Sequence, residues 1–195
     1  KAVLGPGESY GDFKMRARYH LRIQEGCDNF CTFCIIPLTR GMISSRSIAQ
    51  VLQDVRMLSD LGYEEIVLTG THIGAYGRDC KTSLLELLTR LDHENFGPRI
   101  RLSSLDPDDI SNDLIDLIAD SGVICEHLHI CFQAFSDKLL KRMSRRYRLG
   151  DAIRVTQYAR ERMPRCCIGS DLICGFPGES REDVDQAIKS FLDLP

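Results

Sequence analysis

The sequence predicts a parallel α/β domain, in which β-strands alternate with α-helices along the chain. Two observations predict this class. Short apolar runs bounded by turn residues recur along the 195 residues, and amphipathic segments of about ten to fifteen residues separate them. The pattern fits either an open, doubly wound sheet or part of a barrel. In both arrangements the functional residues lie at the carboxyl ends of the strands.

The composition excludes several classes of protein. With 43% hydrophobic and 27% charged residues, the chain resembles a soluble globular domain with a sizeable core. It contains neither a membrane-span pattern nor a signal-peptide pattern, so no membrane partner is expected. The net charge of −3 argues against a general polyanion binder. Nine cysteines, an odd number without disulfide-type spacing, favour free thiols and a cytoplasmic location.

Two segments are expected along the chain. Residues 1–15 are glycine-rich and aperiodic, which is typical of a linker from an upstream domain. Residues 16–195 carry the alternating strand and helix patterns and form the predicted domain. Because the sequence begins with Lys1 and Pro195 follows a helical pattern, we expect a fragment of a longer protein.

The first elements have clear start and stop signals. Strands are predicted at 19–24, 65–69, 99–103, 127–130 and 168–173. Ser47 and Gln50 have the spacing of a capping box, which predicts a helix that begins there and ends before Gly62. Ser83 and Glu86 predict the start of the next helix in the same way.

The later helices are predicted from apolar residues at helical spacing. One spans about residues 111–121, two follow each other at 136–145 and 151–163, and the last spans 180–192. In the last helix we expect one buried face, formed by Val184, Ala187, Ile188 and Phe191.

Three cysteines follow the first predicted strand closely. Cys27, Cys31 and Cys34 are separated by three and then two residues, so their sulfur atoms can converge on one soft metal centre. The loop has no fourth cysteine, so a cluster held here would keep one iron open for another ligand. Structural zinc usually fills all four positions with Cys or His, and the nearest histidines, His20 and His72, lie outside the loop. Buried or redox-active cysteines without a metal are the alternative.

The cysteine spacing on a loop after the first strand resembles the radical S-adenosylmethionine (SAM) superfamily. Further motifs are similar to its methylthiotransferase branch: IQEGC at 23–27, IIPLTRG at 35–41, RLSS at 101–104, HLHI at 127–130, LLKRM at 139–143 and GFPGE at 175–179. Within that branch, LTGTHIGAYG at 68–77 most resembles the enzymes that act on threonylcarbamoyladenosine beside the tRNA anticodon.

The resemblance implies a fold and a chemistry. The expected fold is a partial parallel (β/α)6 barrel whose last strand is cut off after Pro195. The expected cofactors are a 4Fe–4S cluster on Cys27, Cys31 and Cys34 and SAM, which the reduced cluster cleaves to a 5′-deoxyadenosyl radical. A second 4Fe–4S cluster is expected in a missing amino-terminal domain. The implied substrate is tRNA, bound mainly by missing domains, and the implied electron donor is a flavodoxin or ferredoxin.

The resemblance also implies which residues contact SAM. Residues after the second strand would hold the methionine amino group of SAM, and residues after the third strand would hold its ribose. Residues at the fifth strand would contact its adenine. The resemblance implies no catalytic side chain beyond the cluster ligands. The expected SAM-binding residues are Thr69, Gly70, Thr71, Ser103, Ser104, Gln133, Arg142, Ile173 and Gly175. At several of these positions the alternative to SAM binding is an ordinary turn that requires glycine, or a residue that caps a nearby turn.

Several other groups carry weaker predictions. Asp106 is a further candidate for the ribose, with local capping as the alternative. A basic run is predicted either to meet tRNA phosphates or the methionine carboxylate, or to be a solvated helix face. The six remaining cysteines are expected to be buried like small hydrophobic residues. The basic run comprises Lys138, Lys141, Arg142, Arg145, Arg146 and Arg148, and the cysteines are Cys80, Cys125, Cys131, Cys166, Cys167 and Cys174.

One segment departs from the family pattern. The family usually has Pro and then Gln-Ser-Gly-Ser after the fourth strand, whereas this chain has CFQAFS at 131–136. Phe135 therefore replaces a usual glycine and is expected to narrow the site or to require a different backbone angle. The other functions that the sequence leaves open are methylthiolation of a ribosomal-protein aspartate, a non-catalytic iron–sulfur or zinc module, and an inactive relative.

Overall fold

A computed structural model describes residues 17–194 of the chain, and the predicted linker at 1–15 lies outside the described residues. The described part contains seven strands and seven α-helices. The strands are β1 (Arg18–Arg22), β2 (Gln24–Glu25), β3 (Ser44–Ser45), β4 (Glu65–Thr69), β5 (Arg99–Leu102), β6 (His127–His129) and β7 (Cys167–Gly169). The helices are α1 (Ile36–Arg40), α2 (Ile48–Asp60), α3 (Leu84–Glu94), α4 (Asn112–Asp120), α5 (Asp137–Arg142), α6 (Leu149–Arg162) and α7 (Arg181–Leu192).

All strands except β2 and β3 are parallel and follow one another in chain order. β4 pairs with β1 on one side and with β5 on the other, and β6 pairs with β7. Two isolated parallel bridges, Ile100 with Ile124 and Leu105 with Ile130, connect β5 to the β6 segment. The order is therefore β1-β4-β5-β6-β7 without a reversal.

This order favours a barrel segment over a doubly wound sheet. A doubly wound sheet reverses its strand order at a switch point, which places helices on both faces. When the order runs in one direction, right-handed crossovers place the helices on one face, as in a barrel wall. The parallel α/β class and the partial barrel are confirmed in this sense.

Helix starts agree with the capping signals. The Ser47 hydroxyl accepts from the N–H of Gln50, and the Gln50 side chain accepts from the N–H of Ser47, so the predicted capping box of α2 is present. Ser83 caps α3 by accepting from the N–H of Glu86, and Ser180 forms a capping box with Asp183 at α7. These contacts satisfy backbone donors that a helix start otherwise leaves unpaired.

Some predicted bounds are wrong. The first strand ends at Arg22 rather than at 24, because Gln24–Glu25 forms a small antiparallel pair with Ser44–Ser45. α5 ends at Arg142 rather than at 145, because Ser144 has a φ of 58°, which a helix does not tolerate. The last strand ends at Gly169, and its pairing resumes only at a bridge between Gln133 and Leu172.

A continuous hydrophobic core lies between the strands and the helices α2, α3, α4 and α6. Helix α7 differs, and the expected burial of its apolar face is wrong. Ile188 is 56% and Phe191 is 54% exposed, while Val184 and Ala187 are only partly buried. The physical reason is that the apolar face of α7 lines a cavity of about 240 Å³ together with the segments 133–135 and 172–174, so its side chains keep exposed area.

Among residues 17–194, none of the helices combines the length and the apolar character that crossing a membrane requires.

Candidate functional site

The cysteine loop lies at the carboxyl edge of the parallel strands, between β2 and α1. Cys27 and Cys31 are buried, and Cys34 is partly buried. The loop begins at Gly26, whose φ is 76°. A Cβ atom at this position would lie 1.9 Å from the carbonyl oxygen of Met42, so only glycine allows the chain to enter the loop here.

Side chains from neighbouring strands fix the backbone at the start of the loop. The Gln24 amide donates to the carbonyl oxygen of Gly26 at 2.7 Å, and the Thr71 hydroxyl donates to the same oxygen at 2.5 Å. The side-chain oxygen of buried Gln24 accepts from the N–H of His72 at 2.9 Å. The loops after β1 and β4 are therefore bound to each other beside Cys27.

The sulfur atom of Cys27 receives two polar contacts. The backbone N–H of Asn29 donates to Sγ at 3.5 Å, and Nδ1 of His72 lies 3.7 Å from the same sulfur. Burial alone would raise the pKa of this thiol, but His72 and the Asn29 N–H lower it below its ordinary value. A lowered thiol pKa favours the thiolate, which is the form that binds metals.

Cys31 is contacted by an arginine that lies far away in the sequence. The Arg145 guanidinium donates to Sγ of Cys31 at 3.0 Å and forms an ion pair with Asp106. Burial raises the pKa of the Cys31 thiol, and the charge of Arg145 opposes part of that rise. Arg145 reaches the loop because the chain turns sharply at Ser144, directly after α5.

Asp106 and Asp109 connect these contacts. Asp106 accepts from the Asn29 amide at 3.0 Å in addition to its pair with Arg145. Asp109 accepts from Nε2 of His72 at 2.6 Å and is paired with Arg78 at 2.6 Å. Burial alone would lower the pKa of His72, but Asp109 and Cys27 raise it to about 10.

The donor set fits a 4Fe–4S cluster better than a single zinc ion. Among the described residues, the sulfur atoms of Cys27, Cys31 and Cys34 do not all lie within 4.8 Å of one another. A zinc ion needs its ligands about 2.0 to 2.3 Å from the metal and therefore close together. A 4Fe–4S cluster takes its thiolates on different iron atoms. Two buried loop oxygens, Asp28 Oδ1 and Asn29 Oδ1, have no hydrogen-bond partner among residues 17–194.

Three of the residues predicted to contact SAM adjoin the cysteine loop. Thr71 binds the loop directly through the carbonyl oxygen of Gly26. Gly70 is packed so closely that an added Cβ would lie 2.7 Å from the Gln24 side-chain oxygen. The carbonyl oxygen of Arg142 accepts from the Thr32 hydroxyl at 3.0 Å, and its guanidinium lies against Gly178.

The remaining predicted residues lie at the ends of their strands. Thr69 ends β4, and Ser103 follows β5, donating its N–H to Leu68 at 3.1 Å. Ser104 follows directly and is exposed. Gln133 and Ile173 share a backbone hydrogen bond of 2.9 Å, and Gly175 lies in a turn closed by Glu179. These groups share one edge of the strands with the cysteine loop.

For three residues the structure excludes one of the predicted alternatives. Asp106 makes no side-chain cap, because its carboxylate is taken up by Arg145 and Asn29. Arg145 is not part of a solvated basic face, since only 6% of its side chain is exposed. Phe135 needs no unusual backbone angle, because the positive φ of this turn lies at Gln133. Its buried ring stacks on Phe132 with centroids 5.0 Å apart.

Not all of the remaining cysteines are buried. Three of them are exposed: Cys80 lies in a turn, Cys167 on the outer side of β7, and Cys174 in the loop after β7. Cys166 is buried as expected, and it faces away from Cys167.

Sequence analysis missed the contact of His72 with Cys27 and of Asp109 with His72. The parallel order carries a signal for them, because residues that follow the adjacent strands β4 and β5 meet at one edge.

The sequence model of the Radical SAM superfamily matches residues 21–191. The chain belongs to the radical SAM superfamily. Membership implies a 4Fe–4S cluster and SAM as cofactors.

Two relatives and one solved structure illustrate the similarity. The chain is 43% identical over 173 residues to the threonylcarbamoyladenosine tRNA methylthiotransferase MtaB of Bacillus subtilis, covering 88% of this chain and 38% of that protein. It is 40% identical over 168 residues to the tRNA-2-methylthio-N(6)-dimethylallyladenosine synthase of Acetivibrio thermocellus, covering 85% and 35%. The radical SAM methyltransferase TsrM of Kitasatospora setae superposes with a TM-score of 0.79 at 18% identity, covering 100% and 37%. This chain thus spans less than half the length of the curated relatives it matches.

Proposed function

We propose that the chain is the radical SAM core of a methylthiotransferase that modifies an adenosine beside the tRNA anticodon. The observation that carries this proposal is the loop of Cys27, Cys31 and Cys34 at the strand edge, within a chain 43% identical to MtaB. The motif LTGTHIGAYG at 68–77 supports a threonylcarbamoyladenosine as the modified nucleoside.

The three cysteines would hold the cluster, each through its sulfur atom. When bound, the cluster and SAM supply a one-electron cleavage that yields a radical able to attack an unreactive C–H bond. The chain contributes the surroundings of this site. Arg145 and the N–H of Asn29 direct positive charge at the sulfur atoms, which stabilises their deprotonated form.

The SAM-binding role of the strand-end residues is part of the proposal. Thr69, Gly70 and Thr71 are proposed for the methionine amino group, and Ser103 and Ser104 for the ribose. Arg142 is proposed for the methionine carboxylate, because a guanidinium pairs with such a group through two hydrogen bonds. The adenine would lie against the segment that contains Gln133, Ile173 and Gly175.

The rest of the reaction needs parts beyond this chain. We propose a second 4Fe–4S cluster in an amino-terminal domain, tRNA bound mainly by other domains, and a flavodoxin or ferredoxin as electron donor. A tRNA substrate implies a cytoplasmic enzyme. Residues 1–15 would connect the two domains, and residues 16–195 would form the core.

Mass spectrometry of tRNA nucleosides tests the substrate. A strain that lacks the full-length gene should lose a 2-methylthio adenosine derivative, and a plasmid copy should restore it. The Cys34→Ala copy should not restore it, whereas Cys80→Ala, which changes an exposed cysteine outside the loop, should do so.

Two rival functions give different results. If the enzyme modifies a ribosomal protein, the tRNA nucleosides of the deletion strain remain unchanged and an aspartate of that protein loses its methylthio mass. A binding module without catalysis would give no 5′-deoxyadenosine when the purified holoenzyme is incubated with SAM and dithionite.

A further inference from the structure

His72 contacts the cysteine loop from outside it. The segment after β4 places Nδ1 of His72 3.7 Å from Sγ of Cys27. The second ring nitrogen, Nε2, lies 2.6 Å from Oδ2 of Asp109. His72 is buried, so both contacts are largely shielded from water. The ring therefore bridges a predicted cluster ligand and a carboxylate from the next strand.

The carboxylate behind His72 is itself held in place. The Asp109 side chain is 1% exposed, and its second oxygen is 2.6 Å from the Arg78 guanidinium. A Cβ atom at Gly74 would lie 2.3 Å from Oδ2 of Asp109. Glycine at position 74 is thus required for the carboxylate to reach the imidazole, and the arrangement Arg78–Asp109–His72–Cys27 is preorganised.

The direction of the hydrogen bond follows from the chemistry of the sulfur. A cysteine sulfur that binds iron carries no proton and can only accept. Nδ1 must therefore carry the hydrogen in the contact with Cys27. Nε2 donates to Asp109, so both ring nitrogens are donors, and the ring charge is balanced by Asp109 and by Asp106 at 3.7 Å.

We propose that His72 is a positioning residue that donates a hydrogen bond from Nδ1 to the cluster sulfur of Cys27, and that Asp109 fixes the ring for this contact. The proposal rests on the proposed role of Cys27 as a cluster ligand. It assigns to the histidine of the LTGTHIGAYG motif an action on the cluster rather than on the substrate.

A hydrogen bond to a ligand sulfur changes the reduction potential of the cluster. Reduction adds negative charge to the cluster, and an N–H group directed at the sulfur stabilises that charge. His72 therefore makes the cluster easier to reduce. Loss of an outer hydrogen-bond partner typically costs about 10- to 100-fold in metal affinity or activity. We expect the ratio of reduced to oxidised cluster at a fixed potential to fall about tenfold without His72, a shift of about 59 mV for one electron.

The test is a redox titration of the full-length holoenzyme, followed by electron paramagnetic resonance without oxygen. The relevant signal is the one that disappears in the triple variant Cys27→Ala, Cys31→Ala, Cys34→Ala. In His72→Leu the midpoint potential of this signal should fall by the expected amount. Asp109→Asn, which keeps the shape of the side chain, should shift it in the same direction by a smaller amount.

Matched controls separate this effect from general damage. His93→Leu makes the same change at an exposed histidine of α3, and Asp108→Asn changes an exposed neighbour of Asp109. Both should leave the midpoint potential at the wild-type value. Iron content per chain should stay at the wild-type level in all four single variants.

Three outcomes would overturn the inference. One is an unchanged potential in His72→Leu while the triple cysteine variant loses its signal. Another is an unchanged potential in Asp109→Asn when His72→Leu has lost its cluster and cannot be titrated. A third is loss of the cluster in both variants, which would show that the two residues are needed to hold the cluster rather than to adjust its potential. Failure of the proposed function itself is recognised separately, because the triple cysteine variant would then keep its signal.

Discussion

Helices α3 and α7 have the same amphipathic pattern and the same kind of serine cap, but their apolar faces lie in different surroundings. Helix α3 buries Leu84, Leu87, Leu88 and Leu91 in the core of the sheet formed by β1, β4 and β5. Helix α7 has no buried residue and leaves Phe191 and Leu192 exposed at the edge of a cavity. Helical spacing of apolar residues therefore predicts that a helix forms, whereas its burial depends on what the fold places opposite.

The regions of the molecule that contain α3 and α7 also differ in how deeply their charged groups are buried. In the sheet of β1, β4 and β5, the buried side chain of Glu65 is surrounded by three arginines, and Asp106 and Asp109 are buried at its carboxyl edge. In the last unit, formed by β7 and α7, ion pairs such as Arg181 with Asp185 are exposed. Substitutions should therefore destabilise the protein far more in the sheet region than in the last unit.

The largest difference is expected between Asp106→Ala and Asp185→Ala. The first removes the partner of the buried Arg145 guanidinium, which should lower the free energy of unfolding by about 3 to 5 kcal/mol. The second removes an exposed pair one helical turn apart and should cost no more than about 0.5 kcal/mol. Urea titration followed by circular dichroism measures both, and equal costs would contradict the comparison.

Two leucines on the two helices provide the next test. Leu88 in α3 is 0% exposed and Leu192 in α7 is 75% exposed. Leu88→Ala should cost about 2 to 5 kcal/mol, because it removes buried apolar area and leaves a cavity. Leu192→Ala should change stability by no more than about 0.5 kcal/mol. A cost above 2 kcal/mol at Leu192 would mean that α7 is covered in solution.

Two glycines with nearly equal backbone angles give a smaller difference. Gly26 has a φ of 76° and Gly175 a φ of 75°. Gly175→Ala should cost about 1 to 2 kcal/mol for the left-handed angle alone, since nothing lies within 4 Å of the added Cβ. Gly26→Ala adds overlap with Met42 and should cost about 1 to 3 kcal/mol more. Thermal unfolding of both variants checks this order.

Acid unfolding should depend on Glu65. Burial alone would raise the pKa of this carboxyl, but Arg101, Arg18 and Arg99 lower it below its ordinary value. Its contribution to stability is complete above the unfolded-state pKa of about 4.3 and is lost as the pH falls through the lower folded pKa. In Glu65→Gln the free energy of unfolding should fall less steeply below about pH 4.3 than in the wild type.

A control for this pH dependence lies next to Glu65 in the sequence. Glu64 is exposed, and Glu64→Gln should keep the wild-type slope. A wild-type slope in Glu65→Gln would show that other carboxyls dominate acid unfolding.

Much of the fold is predictable from local sequence. Strand β4 has the predicted bounds, and the starts of α2, α3, α4 and α7 follow their serine caps, because these signals act within one helical turn. The end of α5 was not predictable, since nothing in the sequence indicates the left-handed angle at Ser144. The β2–β3 pair was not predictable either, because two-residue strands carry no periodicity.

The candidate site also has one part that the local sequence predicts and one part that it does not. The spacing of Cys27, Cys31 and Cys34 is a local signal and identified the loop. The contacts that surround the loop come from residues more than 40 positions away in the sequence, such as His72 and Arg145. Their approach depends on strand order and on a turn angle, which composition and periodicity do not encode.

The most direct test of the central claim is the iron content of the oxygen-free, reconstituted full-length protein. Cys27, Cys31 and Cys34 are predicted to hold one 4Fe–4S cluster. The triple variant Cys27→Ala, Cys31→Ala, Cys34→Ala should therefore bind about four iron atoms fewer per chain than the wild type, and it should form no 5′-deoxyadenosine. Equal iron content in the two proteins, or zinc in place of iron in the wild type, would contradict the account.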